Sequence, residues 1–236
     1  MKLIGPFCSC KTRLFLKPAQ MSVYIPDDVQ KVINLHQNTI QRRYEFKTVF
    51  QQLASFCQNL AEAYRKSDTV PKIEISNYHP HYLGASTEKI MGANLKPADF
   101  EWTIAREYGF ISWKEAQTKA AIPIDEAFED AVDRLLAGDL KTLQQILESE
   151  PGLLHRKSSY GHQAALIHYL GSNGVEIWRQ VVPLNIVEMA KLLLEKGANK
   201  HLKARIYGGT DVKALIDSST HPWDVGIGRE LSSVFE

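Results

Sequence analysis

Four side chains near the C-terminal end have the types an acid–base centre needs: His168, Asp211, Asp217 and His221. A histidine titrates near neutrality and a carboxylate can orient its ring, so such a set would support hydrolysis or a small-molecule site if it converged. Convergence requires neighbouring helices to align, and no pattern of orienting partners surrounds these residues. The other chemical motifs are incomplete. His79-Pro80-His81 offers two imidazoles without a further ligand, and Cys8-Ser9-Cys10 has no second pair to close a tetrahedral metal site. No strand is expected ahead of Gly171-Ser172-Asn173-Gly174, as a nucleophile elbow needs. Tyr207-Gly208-Gly209-Thr210 lacks the Gly-Lys-Ser/Thr of a phosphate loop, and a turn explains it better. The expectation is a chain with no catalytic residues, no metal and no cofactor. A hydrolytic or small-molecule site built on His168, Asp217 and His221 is the alternative.

The bulk properties agree with a binding protein. The 236 residues are 44% apolar and 23% charged, enough for one or two compact units with a core. A net charge of +1 gives no global field for nucleic acid or an anionic membrane. Three cysteines, two of them in the first ten residues, point to a reducing, cytoplasmic setting rather than a disulfide framework. No run approaches the ~20 apolar residues of a membrane span. The opening apolar run is broken at Gly5-Pro6 and is too short for a signal peptide. Residues 1–25 are expected to be a disordered leader, with Met21 as a plausible initiator.

The remaining elements read as helices. Pro26-Asp27-Asp28-Val29-Gln30 has the form of a helix start capped by Asp27. Phe46, Val49, Phe50, Leu53, Phe56, Cys57, Leu60 and Tyr64 then recur at helical spacing. The phase slips near 38–43, which predicts a kink or two helices. This stripe is expected to bury against the rest of the chain; a self-association seam is the alternative. Ser67 to Pro71 breaks the pattern, and a linker with Asn77, Pro80 and Gly84 is expected next. A short helix over 86–93 follows, then a clearer one over 97–108 stopped by Gly109. Ser112 three before Glu115 caps another, which ends at Pro123.

Beyond residue 125 the chain repeats itself. Helix pairs over 131–147, 165–194 and 212–235 each follow a turn. Glu188-Met189-Ala190-Lys191-Leu192-Leu193-Leu194-Glu195-Lys196-Gly197-Ala198-Asn199 ends its helix on Gly197, which supplies a left-handed turn. Three successive leucines need burial on more than one side, as stacked helix pairs provide. This segment resembles the outer helix of an ankyrin repeat. Gly161 through Ile167-His168 to Gly174 resembles the inner one, with Ala165 and Leu166 where threonine and proline are usual. Ile104 to Trp113 resembles a stretch that precedes the repeats in many bacterial ankyrin proteins. The resemblance implies an all-α fold: a short ankyrin-type solenoid of three degenerate repeats over 125–236, capped by a helical region over 26–121. It also implies a structural role for His168, tying neighbouring turns together. Trp102, Tyr108, Phe110 and Trp113 are expected to cover the first solenoid end. At the other end Val234 and Phe235 are expected to be partly bare or covered by a partner.

The step from Leu147 to Leu194 exceeds the ~33-residue ankyrin period, and the third repeat is lengthened at the same position. Insertions at one register stack along one edge, often the binding edge. These two insertions carry Glu176, Trp178 and Arg179, and Trp223 with Asp224; tryptophan and arginine dominate interface hot spots. Tyr207 and Asp211, at the opposite hairpin tips, form a weaker candidate. The expected function is a non-enzymatic scaffold binding a protein partner along that edge, with neither nucleic acid nor membrane as ligand.

Overall fold

A computed structural model describes residues 23–236. The leader expectation, with Met21 and Cys8-Ser9-Cys10, lies outside the described residues apart from its last three positions. Of these, Val23–Tyr24 form a strand, β1, and are ordered against the body of the protein.

The described chain is mostly helical. Helix α1 (Asp27–Gln41) starts on Pro26, and Asp27 and Asp28 lie in its first turn, where they favour the helix dipole; Asp27 is not the cap. The phase slip is real: α1 ends at Gln41, a 3-10 turn covers Arg43–Glu45, and α2 (Val49–Arg65) begins with Thr48 accepting from Gln51 N. Val49, Leu53, Phe56 and Leu60 of the α2 stripe are buried within the chain. The expected linker is in part a helix, α3 (Pro71–Tyr78), with Pro71 at its first turn, where a missing N–H costs nothing. Helix α4 (Thr87–Met91) is capped by Ser86, and α5 (Pro97–Glu107) stops at Gly109, φ +78°. Helix α6 (Trp113–Lys119) is capped by Ser112. Helices α3 and α2 both pack on α5.

The second half contains three successive units, two of them helix pairs and the middle one a 3-10 turn followed by a helix. Helices α7 (Glu126–Leu136) and α8 (Leu140–Ser149) start on the capping carboxylates of Asp125 and Asp139. A 3-10 turn over Leu166–Gly171 stands where a helix was expected, followed by α9 (Ile186–Glu195). Helix α10 (Val212–Ser218), the single turn α11 (His221–Asp224) and α12 (Gly228–Ser233) complete the set. The first members pack in the order α7, Leu166–Gly171, α10, and the second members in the order α8, α9, α12. Gly197 takes φ +98° as expected, and Leu192 and Leu193 are buried while Leu194 is half-buried. Phe235 is buried and Val234 half-buried.

The loops joining the pairs are layered backbone on backbone. Tyr108 O accepts from His162 N (3.3 Å), and His162 O accepts from Arg205 N (2.7 Å). The approach is so close that a Cβ on Gly109 would lie 2.2 Å from His162 N. Tyr108 and Phe110 are buried beside this stack and Trp113 is half-buried against Phe50, but Trp102 is exposed and edges onto His79 and His81 instead of covering the helix pairs.

Candidate functional site

The insertion that carries Glu176, Trp178 and Arg179 is not an exposed rim. Their relative exposures are 0%, 8% and 1%. The insertion turns inward because its strand β2 (Val182–Pro183) pairs antiparallel with β1 and because Ile177 N donates to Glu107 Oε1 at 3.0 Å. Its Ile177–Arg179 turn packs against α1. The loop therefore joins the N-terminal helices to the helix pairs.

Opposite charges meet inside the joint. Arg179 Nη1 lies 2.6 Å from Glu129 Oε2 and 2.9 Å from Glu176 Oε1, and Nη2 lies 3.0 Å from Asp133 Oδ1. Asp133 also pairs with Arg43. The guanidinium sits 4.4 Å from the Trp178 ring centroid, and Trp178 Nε1 donates to Tyr108 OH at 3.1 Å. His162 Nδ1 accepts from Ala164 N (3.1 Å), which leaves Nε2 to donate to Glu176 Oε2 (3.0 Å). Burial pushes the Glu176 carboxyl up, but the His162 hydrogen bond and the Arg179 charge outweigh it and hold the group below the usual range. Burial likewise works against the charge on Arg179, and its carboxylate partners, Glu129 first, outweigh that and keep it protonated. The hot-spot composition of this loop serves the interior of the fold.

The other expected site residues are dispersed. Trp223 is 46% exposed, and its Nε1 donates to Ile216 O at 3.3 Å. Asp224 is exposed, 3.8 Å from His221 Nδ1. Asp211 caps α10 by accepting from Ala214 N at 3.0 Å. Tyr207 is 69% exposed and donates to Asn173 Oδ1 at 2.9 Å. His168 is buried; Nδ1 accepts from Ala165 N (3.0 Å) at the start of its own turn, so Nε2 donates to Leu202 O (2.9 Å), a tie to the next turn. Asp217 accepts from Lys213 and Ser232. Both nitrogens of His79 are engaged, one by His81 N and one by Asp99. Among the described residues no three His, Cys, Asp or Glu side chains are placed to share a metal ion.

A cleft of about 1020 Å³ does bring distant residues together. One wall comes from the N-terminal region, with Asn77 and Tyr78 of α3 and Arg106 at the end of α5; the other comes from the layered loops, with Arg205 and Tyr207. Gln180 closes part of the floor: its Nε2 donates to Val175 O at 2.6 Å. Leu83 and Ile111, 63% and 71% exposed, are apolar groups at its margin. A second cavity of about 260 Å³ shares Phe110, Glu115, Lys119 and Arg205 with the first, so the depression runs on past the loop stack.

Behind the cleft lies a buried acid pair. Glu107 lines the cleft, yet its Oε2 has no N–H or hydroxyl donor. The Glu74 carboxyl acts on it, and with both groups buried the protonated form of Glu107 is favoured. Burial raises Glu74 to about 7, and burial together with the Glu74 charge raises Glu107 well above the carboxylate range. Glu74 also meets His36 Nε2 at 3.0 Å, and burial lowers His36 to about 4. Of the residues singled out in the sequence, Tyr207 and His221 line the cleft, while His168, Asp211 and Asp217 do not. Arg106, Arg205, Asn77 and Gln180 carried no motif. The one local signal was Arg205 standing exposed between buried Ala204 and Ile206, the alternation of a hairpin arm.

No family model matches this chain, and neither does any curated protein or solved structure.

Proposed function

We propose that the chain is a protein-binding scaffold of the ankyrin type, and that its binding surface is the cleft between the α3–α5 region and the layered loops. The like-on-like packing order of the successive units supports the ankyrin reading, as does the bond from His168 to Leu202 O in the next turn. The observation that carries the binding role is the cleft itself. It lies at the top of the ~300–1,000 Å³ range of ordinary small-molecule pockets and adjoins a second cavity, a shape suited to an extended peptide segment. The scaffold does no chemistry of its own: the His168, Asp217 and His221 set is divided between structural bonds and the cleft. An odd number of cysteines favours a reducing, cytoplasmic setting.

A random 12-residue peptide library selected on the wild-type protein tests the assignment. Asn77 is exposed on α3 and its side chain bonds only within its own helix, so Asn77→Trp fills the cleft without touching the core. Selected peptides should lose binding to Asn77→Trp while its circular dichroism and urea midpoint stay those of the wild type. Undiminished binding to that variant would move the function elsewhere on the surface.

A further inference from the structure

We infer that the cleft selects acidic peptide segments and that Arg106 and Arg205 read their carboxylates. This rests on the cleft being the binding surface and adds the chemical class of its ligand.

Charge accounting within the cleft carries the inference. Asp28 is paired with Lys31, and Glu115 with Lys119. Glu107 is buried, and burial and the Glu74 charge favour its protonated form. Arg106 and Arg205 remain. Both are exposed and line the cleft, and among the described residues neither has a carboxylate partner of its own; Arg205 acts on Glu115 only at a distance. The unneutralised charge of the cleft is therefore positive on both walls. Guanidinium groups take carboxylates through two parallel N–H bonds, a geometry ammonium groups do not match.

The backbone fixes how the two arginines are spaced. Tyr108, His162 and Arg205 form successive layers, and two layers at strand spacing span about 10 Å. Arg106 lies two residues before Tyr108. Carboxylates two or three residues apart on an extended chain are ~7–10 Å from each other, so one segment reaches both arginines. The exposed side chains of Leu83 and Ile111 at the margin suit aliphatic residues between the acids. The ligand is thus an extended strand in which acidic and aliphatic residues alternate.

Fluorescence anisotropy decides the matter, with a fluorescein-labelled octapeptide of alternating Glu and Val, its Gln/Val counterpart, and free glutarate as competitor. At low salt the Glu peptide should bind wild type about tenfold or more tighter than the Gln peptide. Arg106→Gln and Arg205→Gln should each weaken the Glu peptide about fivefold or more and leave the Gln peptide unchanged, with Lys at either position restoring part of the loss. Raising the salt should erode the preference. If Asn77→Trp blocks both peptides but wild type binds them equally, the acidic assignment is overturned and the cleft survives as a binding surface. Peptide binding indifferent to Asn77→Trp, or no peptide binding at all, overturns the cleft assignment and this inference with it. Glutarate displacing the label at the peptide's own concentration would show a small dianion to be the ligand and overturn the peptide class.

Discussion

Arg179 Nη1 and Glu129 Oε2 stand 2.6 Å apart with both side chains closed to solvent, and this pair fastens the inserted loop to α7. Removing one member of a buried pair leaves the other uncompensated, at a cost of about 3–5 kcal/mol. Arg179→Met should lower stability by that amount, read from the urea midpoint. Arg179→Met combined with Glu129→Gln should recover part of it, because one stranded carboxylate is gone. A near-neutral single variant would mean that the charges are not held together as described.

The acid pair behind the cleft contributes a stability that falls as pH rises. Glu74 moves from 4.5 to about 7 through burial, and Glu107 is raised further by burial and by Glu74. A raised folded pKa means that the folded state holds the proton more tightly, so the stability it confers is complete below about 4.5 and drains away through the folded value. His36 runs the other way: lowered from 6.5 to about 4 by burial, it favours folding above 6.5 and less as pH falls towards 4. Between 4.5 and 6.5 the raised carboxyls Glu74, Glu107 and Glu129 favour folding less as pH rises, while His36, His79, His168 and His221, all lowered by burial, favour it more. The Glu107 contribution is therefore read as a difference: from pH 5 to pH 8 the urea midpoint of the wild type should fall relative to that of Glu107→Gln. A difference that stays flat over that span would contradict the raised Glu107 carboxyl.

Gly109 and Gly84 both take left-handed backbone, φ +78° and +67°, but only Gly109 lies against another backbone. Gly84→Ala should cost about 1–2 kcal/mol from conformation alone. Gly109→Ala adds a Cβ at 2.2 Å from His162 N and should cost distinctly more, as a lower melting temperature in a side-by-side thermal scan. Equal costs would mean that the loop layers part freely.

Burial, then the nearby Glu101 and Glu74 charges, raises the Cys57 thiol to about 12. In a Cys8→Ser, Cys10→Ser background, Cys57 should react with a disulfide reagent at pH 8 on the order of a thousandfold slower than an ordinary exposed thiol. Urea should restore the ordinary rate. Fast labelling of the native protein would show the thiol to be open.

Local signals carried much of the architecture. Ser112 caps its helix and Gly109 and Gly197 end theirs as the sequence implies, because caps and stops depend on a few adjacent residues; Asp27, expected as a cap, lies inside the first turn, and Asp211, expected as a site residue, is itself a cap. What failed was the destination of the Glu176–Arg179 loop. Tryptophan, arginine and glutamate in a long insertion have the same appearance whether they meet a partner or the molecule's own interior. Only Glu129, Asp133, Tyr108 and Glu107, all far away along the chain, decide between the two. Helix α3 is masked in the sequence by Asn77, Pro80 and Gly84, residues at its end and beyond it, and by Pro71, which reads as a breaker but stands in its first turn. The cleft was invisible for a related reason: Arg106 and Arg205 become neighbours only through the Tyr108–His162–Arg205 layering.

The antiparallel pairing of Val23–Tyr24 with Val182–Pro183 has a consequence for biosynthesis. A ribosome releases the first strand well before its mate, at about 5–20 residues per second. For those seconds the nascent front helices carry an open hydrogen-bonding edge, and the joint locks only when late translation delivers the returning segment.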